Sequence, residues 1–340
     1  AQLIKASDGF HLWSETYDSS LNDVLAMQDE IAATVVDALQ ILLPSGSREA
    51  LTRDLDVQPV AYDFYLRGRA YMRLPPDEAN LLDAIDMFER STQEDQRFAD
   101  AYAGKCEAWL GMYSISKDAE HFELAETACQ RALRLDRRAT SVYVALGNLY
   151  RVSGQYPQAI DEFTLALSLN SNSPGAHVGL GDTYQDATQP ELAEKHYRLA
   201  VDLQPHDWYA LMSLANFILL NNRVEEAIPY YERICELMPD SESSFNNLAV
   251  AHFLRGDFAR ASEAWSKSLE LAPSAVAYSN VATSLYFQER FEEAVPLYHK
   301  AVEFAPEDFE LWGNLGDAYR HSSLGEEMAQ PCLLYTSDAA

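Results

Sequence analysis

Basic residues are scarce in this sequence of 340 residues. It has 25 lysines and arginines against 53 aspartates and glutamates, so its formal net charge is −28 at pH 7. A field of this sign repels the phosphates of nucleic acids and of anionic lipids. We therefore expect no binding to nucleic acid or to a membrane surface, and a partner that is neutral or basic. The alternative is that the acidic surface only keeps the protein soluble.

Cysteine is also rare, with four residues at Cys106, Cys129, Cys235 and Cys332. They lie far apart and form no Cys-x-x-Cys pair, so the sequence indicates neither a disulfide framework nor a zinc site. We expect Cys129 and Cys235 to be small packing residues on helices.

Long hydrophobic runs are missing. The longest, near residues 210–220, is too short and too polar to span a bilayer. There is no signal peptide and no initiator methionine, so we expect the chain to begin inside a longer reading frame. A cytoplasmic location is favoured, and a membrane segment further upstream would instead place the region in the periplasm.

Motifs for catalysis, cofactor binding or metal binding are missing as well. The eight histidines include no His-Glu-x-x-His motif and no histidine paired with a cysteine at metal-ligand spacing. His177 and His252 fall at packing positions of the repeat described next, so we expect both in the core. The sequence predicts no catalytic residue, no metal, no cofactor and no enzyme activity in this region.

What the sequence does contain is a repeat of 34 residues. Units begin at Pro174, Trp208 and Glu242, and each carries a small residue early and a large aromatic residue late. We call these the small position (Gly181, Ala215 and Ala249) and the large position (Tyr197, Tyr231 and Trp265). A fixed period of this length is typical of helical repeat arrays.

Each unit predicts a pair of helices. In the unit from Pro174, Ala193, Tyr197 and Ala200 form one face of a second helix that faces the first. The small position lets the two backbones approach to about 8–10 Å, and the large position fills the space beside it. Pro205 ends the second helix. No pair can bury its apolar face alone, so neighbouring pairs must stack.

This pattern resembles the tetratricopeptide repeat. The resemblance implies an all-α fold, a right-handed α-solenoid of about seven and a half helix pairs over residues 62–329. Its units are expected to begin near residues 62, 99, 140, 174, 208, 242, 275 and 309.

The segments before and after the repeats do not follow the 34-residue pattern, and we expect them to have other origins. Residues 1–43 predict a β-hairpin and a helix, and DGFHLWSETYD followed by LNDVLAMQDEIAATVVDAL resembles the end of the TolB-like amino-terminal domain. That domain precedes such arrays in bacterial proteins, often downstream of an adenylate cyclase, a winged-helix domain or a Ser/Thr kinase. Residues 1–43 would then be the remnant of an α/β domain, and residues 44–61 a linker. The ending PCLLYTSDAA shares no periodicity with the repeats, so we expect residues 330–340 to be non-native.

The candidate site is a groove lined by the first helices, where this family binds peptides. Asparagine amides can bond the main chain of an extended peptide, and aromatic rings offer rigid contact area. The candidates are Asn148, Asp182, Tyr209, Asn216, Asn246, Phe253, Tyr286, Phe287 and Asp317. The alternative is that asparagines such as Asn216 only tie neighbouring repeats together.

These observations predict a non-catalytic scaffold or sensor that binds a protein or peptide segment within a larger bacterial signalling protein. From the unit at residue 140 onwards, the array lacks Lys and Arg at the positions that this family uses to grip acidic C-terminal tails, so we expect no such binding. One alternative is an accessory region of an adenylate cyclase or kinase whose catalytic domain lies upstream. Another is self-association through the open end or through aromatic patches.

Overall fold

The computed structural model describes residues 2–4, 11–14, 57–74 and 76–323. Strands β1 (Gln2–Ile4) and β2 (His11–Ser14) pair antiparallel, with Gln2 opposite Ser14 and Leu3 opposite Trp13. The predicted helix within residues 21–43, most of the predicted linker and the tail at residues 330–340 lie outside the described residues. The assignment of residues 1–43 to a TolB-like domain therefore stays a prediction.

Residues 57–323 form fifteen α-helices, as expected for an all-α array. They are α1 (Pro59–Tyr71), α2 (Glu78–Glu94), α3 (Ala99–Ser116), α4 (Ala119–Leu135), α5 (Thr140–Val152), α6 (Tyr156–Leu169), α7 (Pro174–Asp186), α8 (Pro190–Leu203), α9 (Trp208–Leu220), α10 (Val224–Leu237), α11 (Glu242–Leu254), α12 (Phe258–Leu271), α13 (Ala275–Phe287), α14 (Phe291–Phe304) and α15 (Phe309–His321).

The chain divides into two compact units, Ala1–Ser171 and Asn172–Ala340. The first contains the pairs α1–α2, α3–α4 and α5–α6. The second contains the pairs α7–α8, α9–α10, α11–α12 and α13–α14, followed by α15. Within each unit every helix packs against the next one along the chain, and several first helices also contact the first helix of the following pair. The apolar core therefore runs from pair to pair, as the stacking argument requires.

The small and large positions hold each pair together. A Cβ atom added at Gly181 would lie 2.6 Å from the Tyr197 ring, and one added at Gly147 would lie 2.6 Å from the Phe163 ring. Tyr197 and Phe163 are both buried. Because real Cβ atoms do not come this close to another side chain, these two rings occupy the space that only glycine leaves open.

The second pair uses a disulfide where the others use a ring. Cys106 on α3 and Cys129 on α4 are bonded, with their Cα atoms 5.3 Å apart. Cys106 stands at the small position of this pair and Cys129 at the large position. The expectation that Cys129 is only a packing residue is therefore wrong, whereas Cys235 is buried and free.

The turn within a pair contains one residue in the left-handed region. Lys117, Gly154, Thr188, Asn222, Gly256 and Glu289 have φ values of 57°, 74°, 58°, 60°, 81° and 60°, one in each of six successive pairs. Four of the six are not glycine, although a side chain there costs about 1–2 kcal/mol. The short connection between paired helices thus requires the left-handed conformation even where the residue's own backbone preference disfavours it.

We predict that Gly181→Ala lowers the free energy of unfolding by about 1–3 kcal/mol, because the new methyl group must displace the Tyr197 ring. Urea denaturation followed by circular dichroism measures this. Gly313→Ala is the matched control, since a Cβ atom there meets nothing within 4 Å, and helix propensity should stabilise it by about 0.5–1 kcal/mol. Equal effects of the two substitutions would contradict the packing account.

We predict that a reducing agent destabilises the first unit, because the disulfide closes a loop with a sequence separation of 23 residues. Loss of such a cross-link costs about 3 kcal/mol. Thermal unfolding with and without dithiothreitol measures the effect, and a Cys106→Ala/Cys129→Ala variant should not respond to the reagent. A wild-type protein that melts identically in both conditions would show that the bond does not stabilise this pair.

Candidate peptide-binding groove

Polar caps fix the start of every first helix in the second unit, and so fix which side chains line the groove. The side chains of Ser173, Asp207, Ser241, Ser274 and Asp308 accept hydrogen bonds from backbone N–H groups in the first turns of α7, α9, α11, α13 and α15. Such caps satisfy donors that have no partner inside the helix. The side chains that follow keep the same register in each repeat.

Three groove candidates are bonded to the large position of their own repeat. The Tyr197 hydroxyl donates to Asp182 Oδ1 over 2.7 Å, and the Tyr231 hydroxyl donates to Asn216 Oδ1 over 2.7 Å. The Trp265 indole N–H donates to Asn246 Oδ1 over 2.9 Å. These bonds join the two helices of one pair, and not neighbouring repeats as the alternative interpretation held.

The next repeat has the same arrangement with a hydroxyl. Thr283 Oγ1 lies 2.9 Å from the Tyr298 hydroxyl oxygen. Burial raises the pKa of Tyr231 and of Tyr298, so both phenols stay protonated and can donate at physiological pH. Sequence reasoning treated the large position only as a filler of the core and missed its polar tip. The signal was available, because Tyr or Trp replaces Phe at this position only in the repeats of the second unit.

Asn148 lies in the first unit, half-buried on α5. The large position of its pair is Phe163, which has no polar atom to offer. The equivalent positions of α1 and α3 hold Arg69 and Glu107, whose side chains form an ion pair with an N–O distance of 2.8 Å. Burial raises the pKa of Glu107, and Arg69 opposes this rise. Sequence reasoning did not single out this pair, which occupies the groove surface of the first unit.

Three aromatic candidates are brought together at the ends of α11 and α13. The Phe253 and Phe287 rings are 5.4 Å apart, and the Tyr286 and Phe287 rings are 5.9 Å apart. Phe258 stacks on Phe287 at 5.0 Å, and Phe291 meets Tyr286 at 5.2 Å. Phe287 is 52% exposed, so this cluster presents rigid apolar surface to solvent.

Tyr209 and Asp317 are exposed residues on α9 and α15. Tyr209 is 52% exposed at the start of α9, where its ring meets Trp208 edge to face at 5.8 Å. Asp317 is exposed on α15 and forms a surface ion pair with Arg320 over 3.2 Å.

The first helices of the second unit differ in charge along the array. No lysine or arginine occurs on α7, α9, α11 or α13, and α9 and α13 carry no charged residue. Carboxylates lie on α7, at Asp182 and Asp186, at the first residue of α11, Glu242, and on α15, at Glu310 and Asp317, and α15 also carries Arg320. The middle of this surface therefore carries a single carboxylate, α7 is acidic, and α15 has two carboxylates and one arginine.

The two histidines expected in the core are buried, with exposures of 8% for His177 and 3% for His252. His177 Nδ1 lies 3.0 Å from His196 Nδ1. Burial, followed by the influence of His177, lowers the pKa of His196 to about 4, so this ring is neutral at physiological pH. Among the described residues no three His, Cys, Asp or Glu side chains are grouped as metal ligands. In the same residues no helix is both long and apolar enough to cross a membrane.

Comparison with protein families identifies the repeat. The family described as "Tetratricopeptide repeat" matches residues 178–242 and 282–335, and "TPR repeat" matches residues 147–187. A third family, "Anaphase-promoting complex, cyclosome, subunit 3", matches residues 220–301. The helix pairs within these residues are tetratricopeptide repeats. A solved structure, "Crystal structure of APC/C hetero-tetramer Cut9-Hcn1", shares this fold with a TM-score of 0.53 and 14% identity, over 94% of this chain and 60% of that chain.

Curated relatives match shorter stretches. A Rhizobium meliloti (strain 1021) protein described as "Putative adenylate cyclase 3" is 37% identical over 103 residues, which is 30% of this chain and 17% of the relative. The Caenorhabditis elegans "Tetratricopeptide repeat-containing protein trd-1" is 32% identical over 98 residues, 28% of this chain and 13% of the relative. The chain thus matches less than a fifth of the length of either relative.

Proposed function

We propose that the tetratricopeptide repeats of the second unit bind an extended segment of another protein along their first helices. Tetratricopeptide repeats make this region a protein-interaction scaffold, and the observation that carries the finer proposal is the composition of the groove. Asn216 and Asn246 supply polar groups in its middle, and the cluster of Phe253, Tyr286 and Phe287 supplies rigid contact area. Such aromatic anchors contribute most to binding at protein interfaces.

The charge of the partner follows from the charge of the first helices. A segment with acidic residues would meet Asp182 and Asp186 on α7 and no opposing lysine or arginine on the first helices α7, α9, α11 and α13. A neutral middle with a basic residue near α7 or α15 avoids this repulsion, and electrostatic complementarity of this kind selects partners and speeds association. We therefore propose a neutral or basic segment.

Three pools of randomised nine-residue peptides test this proposal. The pools carry a fixed lysine, no charged residue or a fixed glutamate, and fluorescence anisotropy measures their binding. We expect the lysine and neutral pools to bind at least about tenfold more tightly than the glutamate pool, and added salt to shrink the lysine preference. Asp186→Asn should weaken binding of the lysine pool only.

Two results would contradict the proposal: tight binding of the glutamate pool, or no binding of any pool. Sedimentation velocity without peptide tests the alternative that the array associates with itself, for which the exposed Leu220, Leu254 and Phe287 offer apolar surface.

We also propose that this region is the accessory part of a larger signalling protein that contains an adenylate cyclase. The support is the Rhizobium meliloti relative, together with the resemblance of residues 8–39 to a TolB-like domain. The buried disulfide between Cys106 and Cys129 favours an oxidising compartment, and therefore the periplasmic alternative.

The genomic reading frame upstream of residue 1 tests both statements. We expect it to encode a cyclase catalytic domain followed by a membrane segment or a secretion signal. An upstream reading frame that encodes no cyclase catalytic domain would refute the cyclase proposal. An upstream reading frame that encodes neither a membrane segment nor a secretion signal would refute the periplasmic placement.

A further inference from the structure

We infer that the large-position residues Tyr231 and Trp265 act as positioning residues, which turn the amide NH2 groups of Asn216 and Asn246 toward the main chain of a bound segment. This inference rests on the proposed function and adds the mode of recognition. The segment would be read through its backbone carbonyl groups, and therefore with little dependence on its side chains.

The orientation of Asn246 follows from the chemistry of indole. The Trp265 indole has an N–H group and no acceptor, so it can bond only the oxygen of the Asn246 amide. The bond is 2.9 Å long, and Trp265 is only 5% exposed. Because the oxygen faces inward, the NH2 group of the same planar amide must point the other way. Asn246 itself is half-buried, so this NH2 group remains within reach of a ligand.

In the preceding repeat, the side-chain amide of Asn216 is also oriented with its oxygen toward the large position. The Tyr231 hydroxyl donates to Asn216 Oδ1 over 2.7 Å, and Tyr231 is 1% exposed whereas Asn216 is exposed. The phenol is therefore a fixed group of the core, and the asparagine is the part that meets solvent. An amide that is already oriented loses less entropy on binding than one that must first be ordered.

The amide arrangement extends to α7 and stops at α13. On α7 the Tyr197 hydroxyl lies 2.7 Å from Asp182 Oδ1 and 3.1 Å from the amide oxygen Oε1 of Gln185, whereas on α13 the large position is bonded to Thr283, which has no amide. Asn216 and Asn246 lie on α9 and α11, the first helices of consecutive repeats. Asn216 is the ninth residue of α9 and Asn246 is the fifth residue of α11. NH2 groups on two consecutive first helices can donate to backbone carbonyl groups of an extended chain that runs across them.

Asn216→Asp and Asn246→Asp separate the two roles of each side chain. Aspartate can still accept the hydrogen bond from Tyr231 or Trp265, but it has no N–H group to donate. We expect both variants to melt like the wild type and to bind the uncharged randomised peptide pool about tenfold more weakly, since one amide–carbonyl bond contributes about that much to affinity. Asn222→Asp is the matched control, because it adds the same charge in the exposed turn after α9.

A second measurement tests the positioning role directly. Tyr231→Phe removes only the hydroxyl, so it should shift the side-chain NH2 resonances of Asn216 in a ¹H–¹⁵N spectrum and weaken binding of the uncharged pool by several-fold. The backbone resonances of the other repeats should not move.

The outcomes are distinct. If the wild type binds the uncharged pool and both aspartate variants bind it equally well, the inference is wrong and the proposed groove stands. The inference also fails if Asn222→Asp weakens binding as much as Asn216→Asp, because charge alone would then explain the loss. If the wild type binds no pool, the proposed function and this inference fail together.

Discussion

The contact between the small and large positions is the constraint on which this molecule depends. Each helix pair except α3–α4 brings a residue with little or no side chain against one large ring, and the ring fills the space between two backbones. Gly181 with Tyr197 shows how tight the contact is, since even a methyl group would lie 2.6 Å from the ring. The second pair satisfies the same constraint with a covalent bond between Cys106 and Cys129. Different chemistry at one pair of positions thus joins the two helices of a pair.

The same contact links the core to the groove. Because the large position is aromatic, its far edge reaches the surface of the first helix, and in the second unit that edge carries a hydroxyl or an indole N–H. A buried polar group must find a partner, and here the partner is a groove side chain such as Asn216 or Asn246. The groove is therefore not a set of independent surface residues. Its polar groups are held by the residues that hold the helix pairs together.

Much of the fold could be predicted from the sequence, because the same pattern of small and aromatic residues recurs in successive repeats. The period of 34 residues, the alanines and glycines at the small position and the aromatic residues at the large position all predict paired helices, and the fifteen helices confirm this. The disulfide was missed because Cys106 and Cys129 lie 23 residues apart and form no Cys-x-x-Cys pair, and because extra residues near 114–121 separate the two helices of this pair in the sequence. In the structure they lengthen α3 and α4, and Cys106 and Cys129 then face one another like any small and large pair.

The site was less predictable. The sequence places Asn216 and Asn246 on the groove side of their helices, but it does not say which amide atom faces inward. That depends on a tertiary contact with the far edge of Tyr231 or Trp265, which helical periodicity does not encode. The charge of the groove, by contrast, could be read from the sequence, because it depends only on which residue types occupy α7 to α15.

Hydrogen exchange at the Trp265 indole N–H tests the link between core and groove most directly. If this group donates to Asn246, its exchange measured by NMR should be slow in the wild type and much faster in Asn246→Ala, while the backbone amides of α12 stay protected. An indole N–H that exchanges equally fast in both proteins would show that the core ring does not hold the groove amide.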